Sequence, residues 1–185
     1  MKKIVTLLSA CMLTCAASSA FAQTLVVFYS WGGNTKAVAQ SVQKQTGSDI
    51  YEIKTVRVYP ADPHETALVS MDERRSGRLP EIAGDMPDFS KYDAIFLGGP
   101  VWNGHTSTPL ARFLQKADFQ GSPVVAFWTD QAATGGYEQE LRTACRNAKY
   151  IEGRGFTWVA RMTSEEIERE TQSWLKDVLP QLPKP

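Results

Sequence analysis

Thr24-Leu25-Val26-Val27-Phe28-Tyr29 is followed without a break by Ser30-Trp31-Gly32-Gly33-Asn34-Thr35 and then Lys36-Ala37-Val38-Ala39-Gln40-Ser41-Val42. The first run is uniformly apolar and predicts a strand buried on both faces. The last predicts the opening of a helix, and the middle six residues are a small polar turn. A strand that passes through glycines into a helix N-terminus gathers backbone N–H groups at the positive end of the helix dipole, where hydroxyls can join them. The turn has no lysine within it, so it is not the GxxxxGK[ST] loop of nucleotide hydrolases. It suits a phosphate monoester held by neutral donors, and it is equally the form of an ordinary βα turn.

The same alternation continues along the chain. A first helix is expected over Thr35–Thr46, stopped by Gly47, and a second strand over Ile50–Thr55, mixed in charge as an edge strand would be. The polar stretch Arg57–Ser90 holds a helix around Glu65–Arg75. Its Asp72-Glu73-Arg74-Arg75 run, with Arg78 beyond, reads as a solvated face, or as a dock for a partner or a pyridine-nucleotide phosphate. A third strand, Ala94–Leu97, ends at Gly98-Gly99-Pro100, and a helix follows over Pro109–Lys116 with proline in its first turn. Val124–Trp128 is the fourth strand, Tyr137–Ala148 the fourth helix and Phe156–Ala160 the fifth strand. Thr163-Ser164-Glu165-Glu166 has the form of a capping box. It opens a last helix whose Ile167, Thr171, Trp174, Leu175 and Val178 recur at helical spacing.

Five strands alternating with five helices predict an α/β three-layer sandwich around a five-stranded parallel sheet. The uniformly apolar strands one, three and four belong in the middle and the more polar two and five at the edges, which gives the order 2-1-3-4-5. Ligands of such sheets bind beyond the carboxyl ends of the strands, at the switch point between strands one and three. Three loops meet there: Ser30–Thr35, Gly99–Thr108 and Thr129–Gly136. The Gly98-Gly99 pair allows close backbone approach to a ligand. Trp102 offers a flat apolar face for stacking or packs as an edge of the core, and Asn103 offers an amide. A phosphate, a polar chain and a flat ring together describe flavin mononucleotide (FMN).

Residues 1–22 read as a secretory signal: basic Met1-Lys2-Lys3, an apolar Ile4–Ala17, and Ala20-Phe21-Ala22 before the cleavage point at Gln23. A lipoprotein reading through Leu8-Ser9-Ala10-Cys11 leaves a hydrophobic region of only Ile4–Leu8, so a soluble periplasmic or secreted protein is expected. The rest divides into one domain over 23–180 and a proline-rich tail over 181–185. Removing the signal leaves 163 of the 185 residues, with 18 basic side chains against 20 acidic ones. That balance, a net charge of about −2, gives no support for nucleic-acid binding. No later apolar run reaches membrane-spanning length. Cys145 is then the only cysteine, so no intramolecular disulfide can form. His64 and His105 are far apart and no cysteine joins them, so no metal site is expected. His105 lies in the ring-side loop, as a plain polar residue or as a proton relay. Gly-x-Ser-x-Gly is absent, and with it the nucleophile elbow of a hydrolase.

The chain resembles flavodoxins, and most closely the bacterial flavodoxin-like proteins with a Tyr-Ser-x-x-Gly-Asn-Thr loop. The resemblance rests on Tyr29–Thr35, Tyr59-Pro60-Ala61-Asp62, Tyr92–Gly98 and Pro100-Val101-Trp102, and covers nearly all of Thr24–Val159. It implies noncovalent FMN and electron transfer, or reduction of a small acceptor such as a quinone, with a redox partner protein possible. By that resemblance Ser30, Gly33, Asn34 and Thr35 hold the phosphate, with Trp31 and Gly32 in the same loop. Pro100, Val101, Trp102, Asn103 and Gly104 border the ring, and Thr129, Asp130 and Gly135 line its other side. No catalytic side chain is implied. Three positions depart from the family pattern: Gly32 in place of Ser or Thr, Asn103 in place of a second aromatic, and Asp130-Gln131-Ala132-Ala133 in place of a glycine-rich segment. The missing hydroxyl at Gly32, and the need to load cofactor outside the cytoplasm, keep a second reading open: a binding module of this fold with weak or no flavin.

Overall fold

The computed structural model describes residues 23–131 and 133–184. The expected signal over 1–22 lies outside the described residues. The strands are β1 (Thr24–Phe28), β2 (Asp49–Glu52), β3 (Lys54–Thr55), β4 (Ile82–Ala83), β5 (Ala94–Trp102), β6 (His105–Thr106), β7 (Pro123–Asp130) and β8 (Lys149–Thr157). The helices are α1 (Asn34–Thr46), α2 (Pro63–Ser76), α3 (Thr108–Lys116), α4 (Tyr137–Ala144) and α5 (Ser164–Val178). The parallel sheet has the order β2-β1-β5-β7-β8, the expected one, with β6 folded back antiparallel on β5. Val26 is in register with Ile50 on one side and Phe96 on the other, and Phe96 with Val125.

Successive side chains of a strand point to opposite faces, and each face makes its own core. Leu25, Val27, Ile95, Leu97, Val124 and Ala126 pack with Leu110, Phe113, Leu114 and Leu141 of α3 and α4. Val26, Phe28, Phe96, Val125 and Phe127 pack with Val38, Val42, Ile167, Trp174 and Leu175 of α1 and α5. The capping box at Thr163 and Glu166 is formed. Leu182 is buried in the second core, so packing continues into the segment 181–185.

Several expectations are corrected. The second strand divides at Ile53: Asp49–Glu52 joins the main sheet, while Lys54–Thr55 pairs with Ile82–Ala83 in a separate ribbon. The fifth strand is Lys149–Thr157, ahead of the expected Phe156–Ala160, whose last residues turn into a 3-10 segment, Val159–Arg161. The fourth helix ends at Ala144. Cys145 caps it and is buried, which pushes its thiol up to about 12, so it is a packed and unreactive group. At Gly98 a Cβ would lie 2.1 Å from the Phe127 ring. At Gly99 a Cβ would lie 2.7 Å from Leu110. Both glycines make room for the core.

Candidate functional site

The crevice sits where the fold class puts it, beyond the carboxyl ends of β1, β5 and β7. It is a cavity of about 550 Å³ with four walls. Ser30, Trp31, Gly32, Asn34 and Thr35 form the first, Pro100–Gly104 the second, and Thr129, Asp130, Gln131 and Ala133 the third. The fourth is Pro63, Thr66 and Ala67 of α2. Twelve of the fourteen residues expected at the site therefore converge on one cavity. Gly33 stands behind the loop as the cap residue of α1, and Gly135 packs behind the second wall. The α2 wall is not among the expected site residues. Its signal was available in Tyr59-Pro60-Ala61-Asp62, because Trp31 donates its indole N–H to the Pro60 carbonyl at 2.9 Å.

At the first wall the chain must reverse from strand to helix in a few residues. Gly33 does so with φ 88°, a left-handed conformation that costs glycine little. Gly33 supplies no side-chain cap to α1. Ser30 Oγ accepts from the Lys36 amide at 3.2 Å, which leaves the serine proton to donate elsewhere. The Thr35 and Thr129 hydroxyls share a buried hydrogen bond of 2.8 Å, which ties the helix start to the end of β7. The Lys36 amine is paired with Glu52 at 3.1 Å. The donors of this wall are amides and hydroxyls, as expected.

The second wall is a two-residue hairpin. Trp102 pairs with His105 across Asn103 and Gly104, whose φ values are 52° and 76°. Positive φ at both turn positions is the type I′ geometry, which favours Asn-Gly. Asn103 fits that turn. Trp102 is held edge-on by Tyr29, with centroids 5.7 Å apart, and by Tyr59 at 5.1 Å.

Under Tyr59 lies a buried carboxylate. Glu73 of α2 accepts from the Tyr59 hydroxyl at 2.8 Å, from Thr108 Oγ1 at 2.5 Å and from Arg57 at 2.8 Å. Burial, and then the Glu73 charge, push the Tyr29 phenol well above its ordinary range; Tyr59 is raised chiefly by burial too. Both phenols stay protonated. The Asp72–Arg75 run is therefore not one solvated face: Glu73 is buried, and Arg74 reaches Glu140 at 2.9 Å.

Glu140 of α4 fastens the hairpin from behind. It accepts from Arg74, from the Thr106 amide at 3.2 Å, from Thr106 Oγ1 at 2.7 Å and faces His105 Nδ1 at 3.1 Å. Gly135 lies so close beneath Gly104 that a Cβ would meet its carbonyl oxygen at 2.6 Å. Desolvation pushes the Glu140 carboxyl up, but the Thr106 hydroxyl and Arg74 outweigh it and hold the group below the usual carboxylate range. Such a group contributes stability that is complete above its unfolded pKa of about 4.3 and is lost as pH falls through the lower folded value. Thermal melts from about pH 6 to about pH 3 should therefore fall less steeply for Glu140→Gln than for the parent chain. Parallel profiles would contradict this.

Among the described residues no group of three His, Cys, Asp or Glu side chains could hold a metal, and no helix is long and apolar enough to cross a membrane. A family model described as Flavodoxin matches residues 23–178. A curated relative, an NAD(P)H dehydrogenase (quinone) of Cupriavidus metallidurans strain CH34, is 26% identical over 159 residues, which cover 78% of this chain and 77% of the relative. A solved flavoprotein of Lactobacillus acidophilus NCFM, in complex with FMN, is 27% identical with a TM-score of 0.67, over 72% of this chain and 93% of that one. An apo-form structure of the flavoprotein from the same organism gives a TM-score of 0.56 at 27% identity, over 76% and 96% of the two chains. The sheet order agrees with these matches, and the chain belongs to the flavodoxin family.

Proposed function

We propose that this chain is an exported FMN-binding redox protein that reduces a small acceptor such as a quinone. One observation carries the reading: the amide and hydroxyl wall, the indole wall and the polar end of β7 open into a single cavity. Its volume of about 550 Å³ lies within the range of small-molecule sites. The related Lactobacillus flavoprotein is solved in complex with FMN, and the Cupriavidus relative is an NAD(P)H dehydrogenase (quinone).

The residues present fit that group. The Ser30 hydroxyl and the start of α1, whose N-cap Gly33 offers no side chain, suit a phosphate. Trp102, fixed by two tyrosines, suits a flat ring, and Pro63, Thr66 and Ala67 restrict solvent on the α2 side. FMN supplies the electron and hydride chemistry when bound; the protein supplies position and electrostatics. Export rests on the sequence of residues 1–22 alone and predicts a mature protein that begins at Gln23 and fractionates outside the cytoplasm.

The test is a titration of chain 23–185 with FMN. We expect saturable uptake with flavin fluorescence quenched, and less quenching after Trp102→Leu. Anaerobic mixing with NADH or NADPH, then with a quinone, follows the bleaching and recovery of the flavin band. Absence of saturable uptake would leave the fold and remove the redox function, in favour of a binding module of the same fold.

A further inference from the structure

Helix α2 is turned inside out. Thr66, Ser70 and Glu73, at i, i+4, i+7 spacing, are its buried residues. On the opposite side, His64, Leu68, Met71 and Arg75 are exposed, and Leu68 and Met71 keep 54% and 52% of their surface in water. The segment leading into the helix repeats the pattern. Arg57 and Tyr59 both bond to Glu73, so Val58 between them points away from the body and is 92% exposed. Val56, one alternation earlier, is 66% exposed. Four of the six large apolar side chains exposed among the described residues thus belong to α2 and the segment that leads into it. A surface helix normally turns its apolar stripe to the core. Here the inward side holds a carboxylate and a buried Ser70 hydroxyl without a partner. The apolar side is left for something else to cover.

The charges along the helix indicate what covers it. Asp62 and Glu65 stand exposed at its beginning, and Arg75 and Arg78 at its end. Arg74 is engaged by Glu140, while Arg75 makes only an exposed contact with Asp72 at 3.4 Å. A helix that is acidic at one end and basic at the other complements a second copy of itself laid antiparallel. With the two-fold axis between Leu68 and Met71, Leu68 of one copy meets Met71 of the other, and Glu65 approaches Arg75 of the second copy. Isologous contacts of this kind are the commonest route to a homodimer.

We propose that the outward face of α2, with Val56 and Val58 beside it, is where a second copy of this chain docks through an antiparallel α2–α2 contact. The inner side of the same helix walls the cavity, so docking would brace that wall. The proposal does not depend on which cofactor the cavity takes.

Sedimentation velocity of chain 23–185 over a concentration series tests it. We expect a monomer–dimer equilibrium, and only monomer for the Leu68→Glu/Met71→Glu double variant. Its circular dichroism and unfolding cooperativity should match the parent, because both side chains are exposed. Glu65→Arg or Arg75→Glu alone should raise the dimer dissociation constant by about two- to fivefold. The Glu65→Arg/Arg75→Glu combination should restore it, since the swapped helix is again self-complementary. A parent chain that is monomeric at every concentration overturns the proposal, whether or not it binds vesicles or another protein. So does a dimer indifferent to the Leu68 and Met71 changes. FMN uptake, measured on the same samples, reads the cofactor assignment separately.

Discussion

Replacement of Glu73 by alanine is expected to lower the stability of the domain by about 2–4 kcal/mol. Three groups lose their acceptor together: the Tyr59 hydroxyl, the Thr108 hydroxyl and the Arg57 guanidinium. The guanidinium is about half exposed, with 48% of its side chain in water, and can be rehydrated. The two hydroxyls cannot, since Tyr59 and Thr108 are 7% and 0% exposed, but they lie 3.1 Å apart, so one can donate to the other and one donor is left without an acceptor. An unmade hydrogen bond of a buried donor costs about 1–3 kcal/mol, so that one stranded hydroxyl, with the lost charged acceptor, sets the scale and the ion pair adds little. Glu73→Gln keeps an acceptor for the hydroxyls but turns an amide toward Arg57, and should lose about half as much. Urea unfolding with an unchanged m-value reads both. The damage should also reach the cavity, because Tyr59 is one of the two rings that fix Trp102. A loss below about 1 kcal/mol for the alanine variant would mean that the carboxylate is not what ties α2 to the body.

This node also shows where sequence reading succeeds and where it stops. The central strands were legible because a strand buried on both faces has no pattern but apolarity, and Val26, Phe96 and Val125 lie in such runs. The edge strand β8 was not. Its Lys149, Glu152 and Arg154 face solvent or an ion pair, and Gly153 and Gly155 are there because a Cβ would lie 2.5 Å from the Ala126 carbonyl oxygen or the Trp128 indole nitrogen. Glycine and charge in a strand read as a loop until the neighbouring strand is known. The three cavity loops were legible because chain order alone brings them to one rim. The fourth wall was not, since periodicity identifies the faces of α2 without saying which face is inward. Apolarity would have chosen wrongly, turning Leu68 and Met71 to the core and leaving Glu73 in water.

Restoring one hydroxyl should strengthen the site. Gly32→Ser is expected to tighten FMN binding by about ten- to a hundredfold, the equivalent of one hydrogen bond of about 1.5–3 kcal/mol to a charged group. The backbone permits it: Gly32 is not among the residues with positive φ, and a Cβ there meets nothing within 4 Å. Gly33 supplies the control. Its surroundings are just as open, but its φ of 88° strains any other residue, so Gly33→Ser adds a hydroxyl at the cost of the turn and should bind no better than the parent. Ser30→Ala removes a donor from the same wall and should weaken binding by a factor of similar size. Fluorescence titration of the three variants beside the parent measures the set. If Gly32→Ser and Ser30→Ala both leave the affinity where it was, the anion does not sit at the start of α1. The cavity would then be holding its ligand by the indole wall alone.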